Sequence, residues 1–250
     1  MRRIVVTGMG AVSPLGCGVE VNWSRLIAGR SGIRRLPEEA CADLPCKVAG
    51  FVPDTTEDPE AGFDPNRAAP VKDQKKMDRF ILFALLAAEE AVAQANWHPA
   101  ENKDRERTAT IIGSGVGGFP AIADSVRLAD SRGVRRLSPF TVPSFLVNLA
   151  AGQVSIKHGF KGALGAPVTA CAAGETSSMR ASAWLTLSTS AAEGSRRRSG
   201  TTPSRPLPTR LMARPSTVRV ALIKPVRAGR NSALNSQKPS GGTVRLLSGA

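Results

Sequence analysis

The stretch with most chemical potential runs from Ala166 to Gly174, A-P-V-T-A-C-A-A-G. Pro167, Val168 and Ala170 make a brief apolar run before Cys171, and Ala172, Ala173 and Gly174 follow it. Apolar residues that give way to small ones predict a buried strand turning abruptly into a helix. Small residues let the chain reverse tightly and leave room for a substrate at the turn. Such a turn places Cys171 at a helix N-terminus, where free N–H groups and the helix dipole favour the thiolate, the nucleophilic form. The competing reading of the nonamer alone is a buried, inert cysteine, since free cysteine is among the most buried residue types.

A second candidate is the run Ile111 to Gly118, I-I-G-S-G-V-G-G. Gly113, Gly115, Gly117 and Gly118 together demand positive φ angles or close approach of something to the backbone. A phosphate cradle would fit that demand, but the lysine and hydroxyl of a P-loop are absent. Gly8-Met-Gly10 begins like a dinucleotide fingerprint, yet Ser13 stands at the third glycine position and Pro14 follows at once. The two histidines, His98 in N-W-H-P and His158 near a helix end, suit a surface turn and a structural role.

These residues need elements to hold them. Arg3 to Thr7 predicts a first core strand, after which Gly8 and Gly10 turn the chain. Asn22 to Ala28 predicts a short helix stopped by Gly29, and residues 37–70 a surface excursion anchored by Phe51. From Asp73 to Asn96, Phe80, Ala84, Leu85, Ala88, Ala91, Val92 and Ala95 recur at helical spacing, with Asp73 as cap and Asp78 in an early turn. Arg79 in that stretch reads as a solvated side chain rather than an ion-pair partner. Thr108 to Ile112 predicts a strand entering the glycine loop, and Asp124 to Asp130 a helix. Pro143 to His158 predicts one helix with proline at its start and Gly159 past its end.

Composition sets the bounds. A chain of 250 residues with 42% hydrophobic residues can build a real core. The four cysteines, Cys17, Cys41, Cys46 and Cys171, have no C-x-x-C spacing, which points to a reducing cytoplasm rather than a disulfide or zinc framework. The longest apolar run, Phe80 to Ala88, has nine residues. A membrane span needs about 20, so none is expected. The N-terminal I-V-V-T-G fits a buried strand better than a signal peptide. Net charge is +14, but residues 1–174 carry only +3 and residues 175–250 carry +11. The basic balance therefore belongs to the tail, and it makes nucleic acid an unconvincing partner for the folded part.

Several blocks agree in order and spacing: R-R-I-V-V-T-G-M-G-A-V-S-P-L-G at the start, I-I-G-S-G-V-G-G in the middle, then Pro143 to Gly159 and T-A-C-A-A-G. Together they resemble the β-ketoacyl-[acyl carrier protein] synthases of type II fatty-acid elongation, over Met1 to Gly174. The resemblance implies an α/β fold, the thiolase-like layered α-β-α-β-α architecture, of which this chain carries the first half. It implies a decarboxylative Claisen condensation with Cys171 as nucleophile, and it makes Gly113, Gly115, Gly117 and Gly118 part of the acyl pocket. The implied partners are acyl carrier protein and its acyl and malonyl thioesters, with no metal or redox cofactor, and the family forms homodimers. Arg132, Arg135 and Arg136 are either a solvated turn or part of a docking face for the acidic carrier protein. A polyketide-type ketosynthase would share all of this chemistry. A protein that only binds acyl groups, carrier protein or nucleic acid is the reading from another class.

The texture changes after Gly174. Residues 175–250 hold 21 serines and threonines, 13 basic residues and two acids, with prolines at 203, 206, 208, 215, 225 and 239. That composition predicts disorder without long regular elements. It is also what an out-of-frame reading of a GC-rich gene would give. The two histidines that the resemblance implies downstream of the cysteine, for malonyl decarboxylation and enolate stabilisation, have no match here.

Overall fold

In the computed structural model, residues 4–41, 44–181 and 218–225 are described. The strands are β1 (Ile4–Ser13), β2 (Gly16–Cys17), β3 (Ile33–Arg35), β4 (Val48–Gly50), β5 (Thr110–Ile111), β6 (Leu164–Gly165) and β7 (Val218–Pro225). The helices are α1 (Val19–Ile27), α2 (Glu38–Cys41), α3 (Pro65–Ala68), α4 (Val71–Gln74), α5 (Arg79–Gln94), α6 (Asn102–Glu106), α7 (Phe119–Arg132), α8 (Thr141–Phe145) and α9 (Asn148–His158). A further helical segment occupies residues 173–181.

Helix α5 is the centre of the core. Ile81, Leu82, Ala84, Leu85, Leu86, Ala87, Ala88, Ala91 and Val92 are all buried along it. Each large aliphatic side chain among them contributes about 1.5–3 kcal/mol of hydrophobic burial. They share one cluster with Val12 of β1, Ile112 beyond β5, and Ala150, Ala151 and Val154 of α9. The central helices thus lie between a sheet of order β2-β1-β7 and the parallel pair β5·β6. Phe63 closes one side of the cluster, 4% exposed and edge-on to Phe83 at 4.7 Å. It, and not Phe51, anchors the excursion after β4. Phe51 is 45% exposed beneath the Arg34 guanidinium.

The small residues of α5 have a specific use. Cβ atoms on Gly8 and Gly10 would lie 2.0 Å from the Ala91 carbonyl oxygen and 1.8 Å from that of Ala87. These glycines do not turn the chain, as the sequence suggested. They let β1 run on to Ser13 while its backbone lies directly on the alanine face of α5. Side chains of α5 complete the join: Glu90 accepts the N–H groups of Ala11 at 3.0 Å and Val19 at 2.7 Å, and Gln94 accepts that of Met9. A phosphate could not reach Gly8 or Gly10 through this contact.

Helix α1 has no buried residue and is held by polar bonds. Asn22 donates to the carbonyls of Gly16 and Gly18, and Arg25 donates to Leu15 and pairs with Asp58. That guanidinium holds the Asp58 carboxyl down to about 2. The helix ends before Gly29, which adopts φ +70° as expected for a stop signal.

Two expected helices are shorter than their periodicity suggested. The segment from Asp73 divides into α4 and α5, and the cap of α5 is Asp78, whose side chain accepts the Phe80 N–H. Asp73 instead pairs with Lys76. The segment from Pro143 divides at Leu146, which is extended. The break has a physical cause: the carbonyls of Ser144 and Phe145 accept the N–H groups of Asp78 and Gly118. Gly159 ends α9 in the left-handed conformation, φ +67°, as its position predicted. Arg79 is exposed, as expected, with its guanidinium 5.3 Å over the Phe83 ring, and it forms no ion pair among the described residues.

In the tail, β7 pairs antiparallel with β1 from Ile4↔Pro225 to Val12↔Val218. This strand lies within the tail whose composition predicted disorder without long regular elements. Between Pro215 and Pro225 the run V-R-V-A-L-I-K contains no proline and is rich in strand-forming residues. Segment 173–181 likewise carries helix past Gly174. The remainder of the expectation for residues 175–250, disorder or loss of frame, lies outside the described residues.

Candidate active site

The site forms where two parallel strands end. β5 and β6 pair through Thr110↔Leu164 and Ile111↔Gly165. The glycine loop leaves the carboxyl end of β5, and the segment bearing Cys171 leaves the carboxyl end of β6. Parallel strands put both exits on one edge, which is where α/β folds gather functional loops. The bond pattern continues past the strands: Ile112 N–H donates to Gly165 at 3.0 Å, and Ser114 N–H donates to Pro167 at 3.2 Å.

Cys171 lies in a single 3₁₀ turn, Ala170–Ala172, that runs into helix 173–181. Its thiol is exposed and unbridged. The regular strand ends at Gly165, earlier than expected, and Cys171 stands on the turn at a helix N-terminus, where the sequence put it. The turn is sharp because Ala170 adopts φ +48°. A non-glycine residue in that region costs about 1–2 kcal/mol. The surrounding bonds hold it there. Ala172 N–H donates to Thr169, Thr169 and Thr176 hydroxyls meet at 3.0 Å, and Ser177 donates to the Ala173 carbonyl at 2.8 Å.

The four glycines differ in what they do. A Cβ on Gly113 would sit 2.2 Å from the Ala173 carbonyl oxygen and 2.5 Å from Ser177 Oγ. Gly117 has φ +82°, and a Cβ there would sit 2.5 Å from the Phe145 carbonyl. One on Gly118 would sit 2.8 Å from Asp78 Cβ. Gly115, by contrast, has room, its nearest atom being Ala170 O at 3.7 Å. The loop is thus wedged between the Cys171 helix on one side and Phe145 with Asp78 on the other.

The other candidates lie away from this edge. His158 ends α9 and precedes the start of β6, so it belongs to the opposite edge of the β5·β6 pair. It stacks on Phe160 at 5.4 Å, its Nε2 is buried without a partner, and burial pushes its pKa down. It is structural, as expected. His98 is exposed before α6. Cys17 is half-buried on β2, and burial pushes its thiol up to about 11. Cys46 is exposed, with its thiol donating to Val48. Arg132, Arg135 and Arg136 are exposed at the end of α7 and in the 3₁₀ turn beyond it. No described helix is long and apolar enough to cross a membrane.

Sequence reasoning put Asp78 in an early helical turn but missed its capping of two helices. Its carboxylate accepts the N–H of Ala121 in the first turn of α7 as well as that of Phe80. Helix α7 starts at Phe119, not Asp124, because that cap comes from 43 residues earlier in the chain. No local pattern around Gly118 could have announced it.

Comparison with known proteins places this arrangement. Residues 1–187 match the model of the "Beta-ketoacyl synthase, N-terminal domain", so the family likeness runs past Gly174, where the sequence motifs alone ended it. A 3-oxoacyl-[acyl-carrier-protein] synthase 2 of Rhizobium meliloti is 44% identical over 174 residues, covering 70% of this chain and 41% of the relative. The mitochondrial 3-oxoacyl-[acyl-carrier-protein] synthase of Arabidopsis thaliana is 44% identical over 187 residues, covering 69% and 40%. The chain thus spans about two-fifths of the length of these curated relatives. Among solved structures, a β-ketoacyl synthase from Burkholderia phymatum superposes with a TM-score of 0.58 at 25% identity, covering 78% of this chain and 44% of that one. The ishigamide ketosynthase/chain length factor gives 0.61 at 24% identity, covering 74% and 49%. The fold is thiolase-like α/β, and the chain belongs to the β-ketoacyl synthase family, whose N-terminal domain it carries.

Proposed function

We infer that the chain is the nucleophile-bearing part of a 3-oxoacyl-[acyl carrier protein] synthase of fatty-acid elongation. The observation that carries this is Cys171, exposed on a strained turn at the head of a helix, with a glycine loop on the same strand edge. In the first step Cys171 Sγ attacks the acyl carbonyl carbon of an acyl-carrier thioester. The carrier thiol leaves with the proton, and the acyl group remains on the cysteine. The backbone N–H of Cys171 supplies one donor to the oxyanion. In the second step malonyl-carrier protein loses carbon dioxide, its α-carbon attacks the acyl carbon, and Cys171 thiolate departs. A thiolate suits both roles, as nucleophile and as leaving group.

The glycine loop serves the acyl chain. A straight alkyl group needs space without polar lining, and of the four glycines Gly115 has that room, while Gly113, Gly117 and Gly118 hold the loop against Ala173, Phe145 and Asp78. Val116 and Phe119, 62% and 64% exposed, flank the loop with apolar surface for an acyl chain to cover. Acyl carrier protein is the partner, on the strength of the names of the relatives at 44% identity. Arg132, Arg135 and Arg136, exposed beyond the loop, supply positive charge for an acidic carrier. The cysteine usage supports a reducing, cytoplasmic setting.

Incubating the purified chain with acyl-carrier protein and digesting it for mass spectrometry tests this directly. An acyl adduct on Cys171, absent from Cys171→Ala, is the expected result. Acylation of Cys46 in its place, or an adduct that survives the substitution, would refute the site.

A further inference from the structure

Asp78 lies outside the turn that bears Cys171, yet its contacts reach the loop facing that turn. Its carboxylate is divided between two helices: Oδ1 accepts Phe80 N–H at 3.3 Å and Oδ2 accepts Ala121 N–H at 3.1 Å. Its own N–H donates to the Ser144 carbonyl at 3.1 Å. The second of these bonds answers a specific deficit. The N-cap position of α7 is Gly118, which has no side chain to offer, and Pro120 has no N–H. That leaves Ala121 at the third helical position, the usual target of a capping oxygen, and Asp78 provides the oxygen from another element. Gly118 permits the approach, since a Cβ there would stand 2.8 Å from Asp78 Cβ.

The same loop carries the position onward. Gly118 N–H donates to Phe145, and Gly117 N–H donates to Ser114 Oγ at 3.0 Å. Ser114 N–H donates to Pro167, four residues before Cys171, and Gly113 abuts the Ala173 carbonyl. An unbroken series of short contacts therefore joins the Asp78 carboxylate to the turn that carries the nucleophile. We propose that Asp78 is a positioning residue for Cys171: by capping α5 and α7 with one carboxylate it fixes the far end of the glycine loop, and the loop fixes the Cys171 turn. This rests on the reading of Cys171 as nucleophile for its consequence in catalysis, but not for the coupling itself.

The test separates a positioning role from a plain helix cap. Asp78→Ser and Asp78→Asn each keep an oxygen that can cap α5 but lack the second acceptor for Ala121. The full chain and both variants are compared by amide hydrogen exchange and by iodoacetamide labelling at pH 7.5. Expected are Phe80 exchange within about 2-fold of the parent, and Ala121 exchange faster by ~10-fold or more. Ser114 exchange rises with it, and Cys171 labelling slows by ~3-fold or more relative to Cys46, because the relaxed turn no longer holds the thiol at the helix head. Faster exchange at Ala121 with Ser114 and Cys171 unchanged would overturn the proposal and leave Asp78 a helix cap. Parent Cys171 labelling no faster than Cys46 would instead count against the nucleophile, while exchange at Ser114 still decides the coupling.

Discussion

Gly113 and the Ala173 carbonyl stand so close that a Cβ on the glycine would lie 2.2 Å from the oxygen. The obstacle is backbone, at the start of the helix that follows the Cys171 turn, so it cannot swing aside as a side chain could. Gly115, two residues on, has 3.7 Å of clearance at its nearest neighbour. Gly113→Ala should therefore destabilise at the upper end of the ~1–3 kcal/mol typical of overpacking, and displace the Cys171 turn. Gly115→Ala should stay within about 1 kcal/mol of the parent, since it only fills open space. Urea unfolding of both variants reads the difference. Equal destabilisation would mean that loop and helix are not packed as described.

Thiol reactivity should follow the local setting. Cys171 is exposed on its turn, while Cys17 is half-buried with its thiol pushed up to about 11. At pH 8 only about one Cys17 in a thousand is thiolate. Limiting iodoacetamide should modify Cys171 first and Cys17 last, with exposed Cys46 between them. Peptide mass spectrometry over a time course checks the order, and faster labelling at Cys46 would remove the helix-head argument for Cys171.

His158 gives a pH dependence of known sign. Its Nε2 is buried without a partner, and burial lowers its pKa below the ordinary histidine value, with Lys157 and His98 adding to the shift and Glu89 opposing it. The unfolded chain then binds a proton more readily than the folded one, so stability rises with pH across this range. The contribution is fully present above about pH 6.5 and is lost as pH falls towards the folded value. His158→Leu keeps bulk against Phe160 and removes the titration. Urea midpoints between pH 7.5 and 5 should fall more for the parent than for the variant. Parallel curves would show that His158 is protonated without cost.

Much of the candidate site's local geometry was legible in the sequence, and the reason is local. Cys171 follows apolar residues and precedes small ones, Gly159 follows the last helical residue of α9, and the alanines of α5 repeat at helical spacing. Each signal is contained within a few residues. What escaped depends on contacts between distant segments. Gly8 and Gly10 look like a turn until α5 is laid across them, when they become the only residue type that fits. Asp78 looks like one acid in a helix start, because the residue it caps in its second helix lies 43 residues later. The break at Leu146 is invisible in a good helical pattern, since its cause is the claim of Asp78 and Gly118 on the Ser144 and Phe145 carbonyls. Ala170 carries a positive φ with no glycine to mark it. β7 was hidden by averaging: the proline and serine content of the tail outweighed one proline-free run, Val218 to Lys224.

The last prediction concerns the two steps of the proposed reaction, which place unequal demands on the chain. Acyl transfer to Cys171 needs a nucleophile and an oxyanion donor, and in the proposed reading the turn offers both. Condensation needs, in addition, groups that promote loss of carbon dioxide and hold the enolate oxygen as charge builds on it. Preorganised donors carry that burden, and loss of even one typically costs ~10²–10³ in rate. The two histidines of the chain are not placed to help. His158 lies on the opposite edge of the β5·β6 pair with its ring stacked on Phe160, and His98 is exposed before α6. The 250-residue chain should therefore accept an acyl group on Cys171 and fail to turn it over. Purified protein supplied with acyl- and malonyl-carrier protein should accumulate acyl-Cys171, with 3-oxoacyl product at or near background by mass spectrometry. Product formed in repeated turnovers, and abolished by Cys171→Ala, would show that residues outside the described segments complete the site. A Cys171 that stays unacylated under the same conditions would instead place the failure in the first step and in the nucleophile itself.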